Sequence, residues 1–152
     1  MFKKAEKTKP VHEMDAKERF AERESRIADI AARLSSSGVR ADRCGDTLLM
    51  SYHDLAITIE INESDPRMIH FQTAFEEGTR DLIRAVLAAS KATSSSYGAK
   101  AFVQGMDDDY VVRISYESIY PTVDDLFKII SFPLALIADC RDNYIAERTT
   151  TA

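Results

Sequence analysis

The chain has 152 residues, 45% of them hydrophobic and 30% charged, which predicts a single soluble domain that can bury a core. No apolar run approaches the roughly 20 residues that a membrane-spanning helix needs, and the basic start lacks the apolar segment of a secretory signal. We therefore expect a cytoplasmic protein without a membrane span. Cys44 and Cys140 are then expected to be two reduced thiols.

The net charge of −5 is unevenly distributed. Residues 1–33 hold 9 basic and 7 acidic side chains, and the remainder holds 11 basic and 18 acidic. An acidic body argues against nucleic-acid binding, which depends on clustered Lys and Arg. The lysines of the first ten residues could contact nucleic acid or a membrane, but a solvated arm is the favoured interpretation. We expect a flexible arm over 1–12, one domain over 13–148 and a disordered tail over 149–152.

The first half of the chain predicts one helix and then strands. Apolar residues recur at helical spacing between Asp15 and Ser36, in a stripe formed by Phe20, Ile27, Ile30, Ala31 and Leu34. Alternating patterns then predict strands over 47–52, 55–62 and 67–75, with a short edge strand over 39–44. A tight turn at His53-Asp54 is expected to join the first two of the long strands.

The second half predicts a helix, two strands and a final helical region. The helix over 79–93, capped by Thr79, has an apolar face made of Leu82, Ile83, Val86, Leu87, Ala89 and Ser90. Strands are predicted over 99–104 and 109–117. The last region, 122–147, begins with a Thr122–Asp125 capping box and contains Pro133, which should kink or restart it.

This order predicts an α+β fold: an antiparallel sheet of about five to six strands with three helices, arranged α-β-β-β-α-β-β-α.

We find no pattern that predicts catalysis, a metal site or a cofactor. Asp107, Asp108 and Asp109 are adjacent, so they cannot all face one ion, and they are typical of a hairpin tip. The histidines at 12, 53 and 70 are too scattered for a zinc site, and His70 is expected to be a half-buried structural residue. No serine lies in a nucleophile elbow.

Leu49, Phe102 and Val111 break the apolar alternation of their strands. We predict that they form a second, partner-facing surface. The alternative is a sheet that is buried on both sides.

Four segments together cover most of residues 39–147: "GDTLLMSYHDLAITIEIN" (45–62), "TRDLIRAVLAASKAT" (79–93), "AKAFVQGMDDDYVVRISYES" (99–118) and "PTVDDLFKIISFPLALIADC" (121–140). In their order and patterns they resemble the type III secretion chaperone-like fold and, within it, the YbjN family. The resemblance implies a small acidic dimer that holds an extended or partly folded protein partner. It also implies a regulatory role in motility, stress response or exopolysaccharide production, without enzymatic activity.

Two classes of function follow. The first is a non-enzymatic protein-binding domain, a chaperone-like or regulatory adaptor that is a homodimer and binds a protein or peptide at a sheet edge or an apolar patch. The second is a small-ligand sensor or enzyme with a pocket between sheet and helices. A broad apolar patch would favour the first class, whereas a concave pocket lined by His70 and acidic residues would favour the second.

Overall fold

The computed structural model describes residues 9–77, 81–106 and 109–150. Its strands are β1 (Ala41–Cys44), β2 (Thr47–Tyr52), β3 (Leu55–Ile61), β4 (Met68–Glu76), β5 (Lys100–Met106) and β6 (Asp109–Ile119). Its helices are α1 (Ala16–Ser36), α2 (Leu82–Ser94), α3 (Val123–Ile129) and α4 (Ser131–Thr150), preceded by a 3-10 turn at Val11–Glu13.

Parts of four predictions lie outside the described residues: the first eight residues of the expected arm, the last two of the expected tail, the expected start of the second helix at Thr79, and Asp107 and Asp108 at the expected hairpin tip. The helix α4 runs to Thr150, two residues into the expected tail.

The six strands form one antiparallel sheet in the order β1-β2-β3-β4-β6-β5, which confirms the predicted fold class. The short edge strand is present as β1. His53 and Asp54 form the two-residue turn between Tyr52 and Leu55. His53 has a φ of 53°, in the left-handed region that two-residue hairpin turns require.

The two faces of the sheet differ in chemistry. The inner face is packed against the helices and is almost fully buried, with a core that includes Leu48, Met50, Ile57, Ile59, Ile69, Phe71, Val112 and Ile114. The open face carries residues of the other parity, most of them polar or small, including Ser51, Thr58, Glu60, Gln72, Ser115 and Glu117. This alternation is typical of an antiparallel sheet with one solvated face.

Two buried arginines attach α1 to the rest of the domain. Arg23 donates to the carbonyl of Ile61 at 2.9 Å and to Asp46 at 2.6 Å. Arg26 donates to the carbonyls of Tyr120 and Pro121, at 3.0 and 2.7 Å, and pairs with Glu22 on its own helix. These bonds connect the helix to the end of β3, to the turn between β1 and β2, and to the segment that follows β6.

The predicted apolar stripe of α1 is correct except at its first residue, Phe20. Ile27, Ile30 and Leu34 are buried, but Phe20 is 60% exposed. Arginine side chains occupy the inner face near the N-terminal half of the helix, because their aliphatic parts can be buried while the guanidinium groups bond to backbone carbonyls.

The final helical region is divided in two, as Pro133 predicted. Thr122 and Asp125 form the expected capping box at the start of α3. This helix ends at Ile129, and α4 begins at Ser131 with Pro133 in its first turn, where a missing N–H costs nothing. The three predicted helices are thus four.

Candidate functional site

Helix α2 buries its small residues and exposes its large ones. Ala85, Ala88, Ala89 and Ala92 are at most 3% exposed and face α4 and β5. The opposite side carries Leu82, Ile83, Val86 and Leu87, which are between 43% and 73% exposed. We call these four residues the apolar stripe of α2. Of the apolar face that the sequence predicts, Ala89 is buried and these four large residues are exposed. Asp81 caps the described helix, and the expected cap, Thr79, lies outside the described residues.

The apolar stripe is large and uncharged. The exposed fractions of its four members correspond to roughly 400 Å² of accessible surface, about the size of the largest apolar patch on a typical monomer, which is often a functional surface. Charged residues flank the stripe: Asp81 directly precedes Leu82, and the half-buried Arg84 follows Ile83. Lys91, one turn after Leu87, pairs with Glu147 of α4 at 3.2 Å.

Strand β5 is an edge of the sheet, and Thr93 of α2 hydrogen-bonds to the outward backbone groups in its first part. The Thr93 hydroxyl accepts from the N–H of Ala101 at 2.8 Å and donates to the carbonyl of Ala101 at 3.2 Å. In a strand, residues of the same parity direct their backbone groups the same way. Val103 and Gly105 therefore point N–H and C=O away from β6, and no hydrogen bond between described residues involves those outward groups.

The open half of this edge runs beside the apolar stripe. A turn of five residues joins α2 to β5, so the two elements run in opposite directions. Thr93 and Val86 lie on the same side of the helix, about 10 Å apart at 1.5 Å per residue. The same distance along β5 leads from Ala101 to about Gln104. The stripe and the unpaired edge groups are thus neighbours.

The structure brings together two of the three residues predicted to face a partner. All three lie on the open face, where Leu49 is 40% and Phe102 44% exposed, and Val111 is half-buried. Phe102 is opposite Arg113 and Val111 is opposite Gln104, which makes Phe102 and Val111 diagonal neighbours across β5 and β6. Leu49 lies on β2, four strand spacings or roughly 19 Å away.

Exposed apolar groups therefore surround one edge of the molecule. The stripe lies on the helical side of β5, and Phe102 and Val111 lie on its open face. We call this region the β5 side. The signal for the stripe was present in the sequence, because the alanines at 85, 88, 89 and 92 recur at i, i+3, i+4 and i+7 and define a buried face by themselves.

A shallow acidic pocket lies at the other end of the open face. Glu60, His70 and Glu117 are directly opposite one another on three neighbouring strands, and His70 Nδ1 lies 3.7 Å from Glu60 Oε2. Together with Arg23 and Asp46 they line a cavity of about 320 Å³. The Arg23 hydrogen bond and charge hold the pKa of Asp46 below its usual value. Within residues 9–77, 81–106 and 109–150, no group of three His, Cys, Asp or Glu side chains is arranged to hold a metal ion.

A larger groove of about 500 Å³ runs between residues 9–14, α1 and the start of α3. Its cations have partners in the fold. Arg33 pairs with Asp29 at 2.9 Å and with Asp124 at 2.5 Å, and Arg26 is bonded to two loop carbonyls. The groove therefore presents bonded ion pairs to solvent.

The thiols differ in exposure. Cys44 is exposed on β1, and Cys140 is fully buried in α4, where burial raises its pKa to about 11. The Cys140 thiol is thus protonated near neutral pH, and it is a poor nucleophile because the thiolate is the reactive form.

By fold, the chain belongs to the α+β proteins that pack helices on one face of an antiparallel sheet. Among solved structures it is similar to YbjN of E. coli, a candidate transcription regulator, with a TM-score of 0.63. The two sequences are 16% identical over 75% of this chain and 87% of that chain. This likeness shows the shared fold, as the resemblance implied, and membership of the YbjN family stays a prediction. No protein-family model and no curated protein matches the sequence.

No helix among the described residues has both the length and the apolar character needed to cross a bilayer.

Proposed function

We propose that this protein is a non-enzymatic protein-binding domain of the cytoplasm, a chaperone-like or regulatory adaptor that binds polypeptides at its β5 side. The observation that carries the proposal is the orientation of α2. Burying four alanines while Leu82, Ile83, Val86 and Leu87 stay exposed removes less apolar surface from water than the opposite orientation would. Such an arrangement is typical of a surface that is covered by another chain.

The neighbouring features fit an extended partner. Val103 and Gly105 have the outward N–H and C=O groups to which an added strand can bond. Phe102 and Val111 then lie where side chains of that strand would rest. The regulatory part of the proposal is supported by the fold likeness to YbjN, and the net charge of −5 argues against a nucleic-acid surface.

Capture from native lysate tests this assignment with two matched variants. Phe102→Ser and Leu49→Ser each remove an exposed apolar side chain of similar exposure from the same face, but only Phe102 lies on the β5 side. We expect Phe102→Ser to lose most of the captured polypeptide and Leu49→Ser to retain it. Equal capture by the wild type and both variants would remove the β5 side from the proposal. A loss with Leu49→Ser alone would move the surface to β2.

A small-ligand sensor is the second candidate, and the acidic pocket around His70 is the observation that favours it. The lining of Glu60, Glu117 and Asp46 would suit a small organic cation. A thermal-shift screen of polyamines and other organic cations checks this candidate, with Glu117→Gln as the control. Stabilisation of the wild type that Glu117→Gln abolishes would support the sensor, and no shift at millimolar ligand would refute it.

A further inference from the structure

We infer that the β5 side selects polypeptides that carry a carboxylate, and that Arg113 is the residue that binds it. The inference rests on the proposed function, because it assigns a chemical class to the partner of the same surface. The partner is a short extended segment in which an acidic side chain and a large apolar side chain are two residues apart.

Arg113 differs from most arginines of the described chain. Most of them pair with a carboxylate: Arg23, Arg26, Arg33, Arg40, Arg43, Arg67, Arg141 and Arg148. Arg113 instead donates from Nε to the amide oxygen of Gln104, at 2.5 Å. Within residues 9–77, 81–106 and 109–150 it forms no ion pair, although Glu76 lies diagonally across from it on β4. Its half-buried guanidinium thus remains available to a carboxylate of another chain.

The guanidinium of Arg113 lies over β5, next to the open part of the edge. Arg113 is on β6, directly opposite Phe102, and its bond to Gln104 shows that the side chain extends across to β5. Gln104 lies between Val103 and Gly105, whose outward groups are the ones to which an added strand can bond. Both terminal nitrogens of Arg113 are free of hydrogen bonds to described residues, and such a pair of donors matches the two oxygens of a carboxylate.

The pairing of an added strand places one partner residue next to this guanidinium. Residues directly opposite each other in neighbouring strands point to the same face of the sheet. Phe102 and Gln104 are on the open face, so the partner residues opposite them point there too. A carboxylate opposite Gln104 is then within reach of Arg113, and a large apolar side chain opposite Phe102 covers its exposed ring. The partner residue between these two faces the side of the α2 stripe.

A second cation favours an acidic partner. Lys100 is exposed on the same face of β5, two residues before Phe102, and it forms no ion pair with the residues that the structure describes. Lys100 and Arg113 make this part of the open face positive, whereas the protein as a whole has a net charge of −5. Complementary charge selects a partner, and like charge excludes one. A basic strand would be excluded from this position.

Binding of designed peptides tests the inference. The labelled peptide Ser-Val-Thr-Glu-Thr-Val-Ser, blocked at both ends, reads the same in both directions, so it suits either orientation of the added strand. Fluorescence anisotropy compares it with peptides in which glutamine or lysine replaces the glutamate. We expect glutamine to weaken binding about tenfold, because a charge-assisted pair of hydrogen bonds is lost, and lysine to weaken it further. Equal binding of all the peptides, or no binding at about 1 mM, would overturn the inference.

Variants of the protein locate the carboxylate site. Arg113→Gln should remove most of the difference between the glutamate and glutamine peptides, and Arg113→Lys should recover only part of it, since lysine keeps the charge but lacks the planar fork. Lys100→Gln is the matched control. It removes a cation from the same face, beside the part of β5 that Thr93 bonds, and should change the affinity by less than about twofold. An equal effect of Lys100→Gln and Arg113→Gln would refute the assignment to Arg113.

Charge reversal keeps the test decisive if Arg113→Gln does not fold. Arg113→Glu should bind the lysine peptide more tightly than the glutamate peptide, and a misfolded chain does not acquire a new preference of this kind. If Arg113→Glu still prefers the glutamate peptide, the carboxylate is bound elsewhere.

The outcomes separate this inference from the proposed function. Peptide binding that depends on Phe102 but not on the glutamate retains the β5 side as a polypeptide site and loses the carboxylate preference. Glutamate-dependent binding that Arg113→Gln abolishes, together with no capture of any polypeptide from lysate, retains the carboxylate site and loses the adaptor function.

Discussion

On an ordinary amphipathic helix, loss of a large apolar residue lowers the free energy of unfolding more than enlargement of an alanine does. On α2 we expect the reverse. Ile83→Ala removes a large apolar side chain, and Ala88→Leu adds one. Ile83 is 73% exposed, so only about a quarter of the 1.5–3 kcal/mol for burying an isoleucine is at stake, or about 0.5 kcal/mol. Alanine is the better helix former by a similar amount, so we expect a change in unfolding free energy near zero.

The second substitution should be the costly one. Ala88 is 2% exposed within a core that contains Ile114 and Ile137. Three extra carbon atoms have no space there, and overpacking of this kind costs about 1–3 kcal/mol. The expected ranking therefore places the alanine-to-leucine change as the destabilising one.

Urea unfolding monitored by circular dichroism measures both effects. The measurement is made at two protein concentrations, about 1 and 100 µM, because any association between copies would stabilise the wild type only at the higher one. The comparison at about 1 µM isolates the fold. If Ile83→Ala costs more than about 1.5 kcal/mol at that concentration while Ala88→Leu is tolerated, an α2 helix with its alanines facing inward is refuted.

Three further changes test other parts of the molecule. Arg26→Ala should lower the free energy of unfolding by about 2–4 kcal/mol in urea, because it leaves two loop carbonyls without their charged donor, and Arg26→Lys should recover only part. The hydrogen bond from Arg23 lowers the pKa of Asp46 in the folded state, so this bond stabilises the protein above about pH 4 and ceases to do so as the pH falls through the lowered pKa. The free energy of unfolding of Asp46→Asn should therefore fall less steeply with acid than that of the wild type. Identical pH dependence of the two proteins contradicts the pairing. Ellman's reagent should modify Cys44 at once and Cys140 only on unfolding, and two fast thiols would disprove the burial of α4.

The sequence was sufficient to predict the sheet, because alternation in a half-buried antiparallel strand is a direct record of which face is wet. The strands β2 and β3, the turn at His53-Asp54 and the short strand β1 all follow from that period of two. The capping box at Thr122 and the restart near Pro133 were equally local, since each depends on a few adjacent residues.

The faces of the helices were less predictable, because the same sequence can satisfy two stripes. Helix α2 has two rows of apolar residues at helical spacing, one of alanines and one of larger residues, and the sequence prediction placed the larger residues on the apolar face. The decision depends on how closely α4 and β5 approach, which is a tertiary property. On α1 the error had a different cause. Phe20 follows the helical spacing of the stripe, yet it is exposed. Arg26, which the apolar pattern leaves out, is buried because its guanidinium donates to the carbonyls of Tyr120 and Pro121.

Only part of the candidate surface could be predicted, because its full extent depends on tertiary structure. Phe102 and Val111 could be found from the strand pattern alone, but their distance from Leu49 depends on the strand order, in which β6 lies between β4 and β5. Only that order separates the three residues into two places.

The hydroxyl of Thr93 also bears on aggregation. A fully unpaired outer strand can template an unlimited series of further chains, which is how fibrils grow. In this protein the Thr93 hydroxyl bonds to the outward backbone groups of Ala101 in the first part of β5, so only a few residues of β5 can pair with another chain. Thr93 thus leaves room for a short added strand, but not for the long paired edge that a growing fibril requires. Removing it by Thr93→Val should therefore shorten the lag time of fibril formation on prolonged agitation.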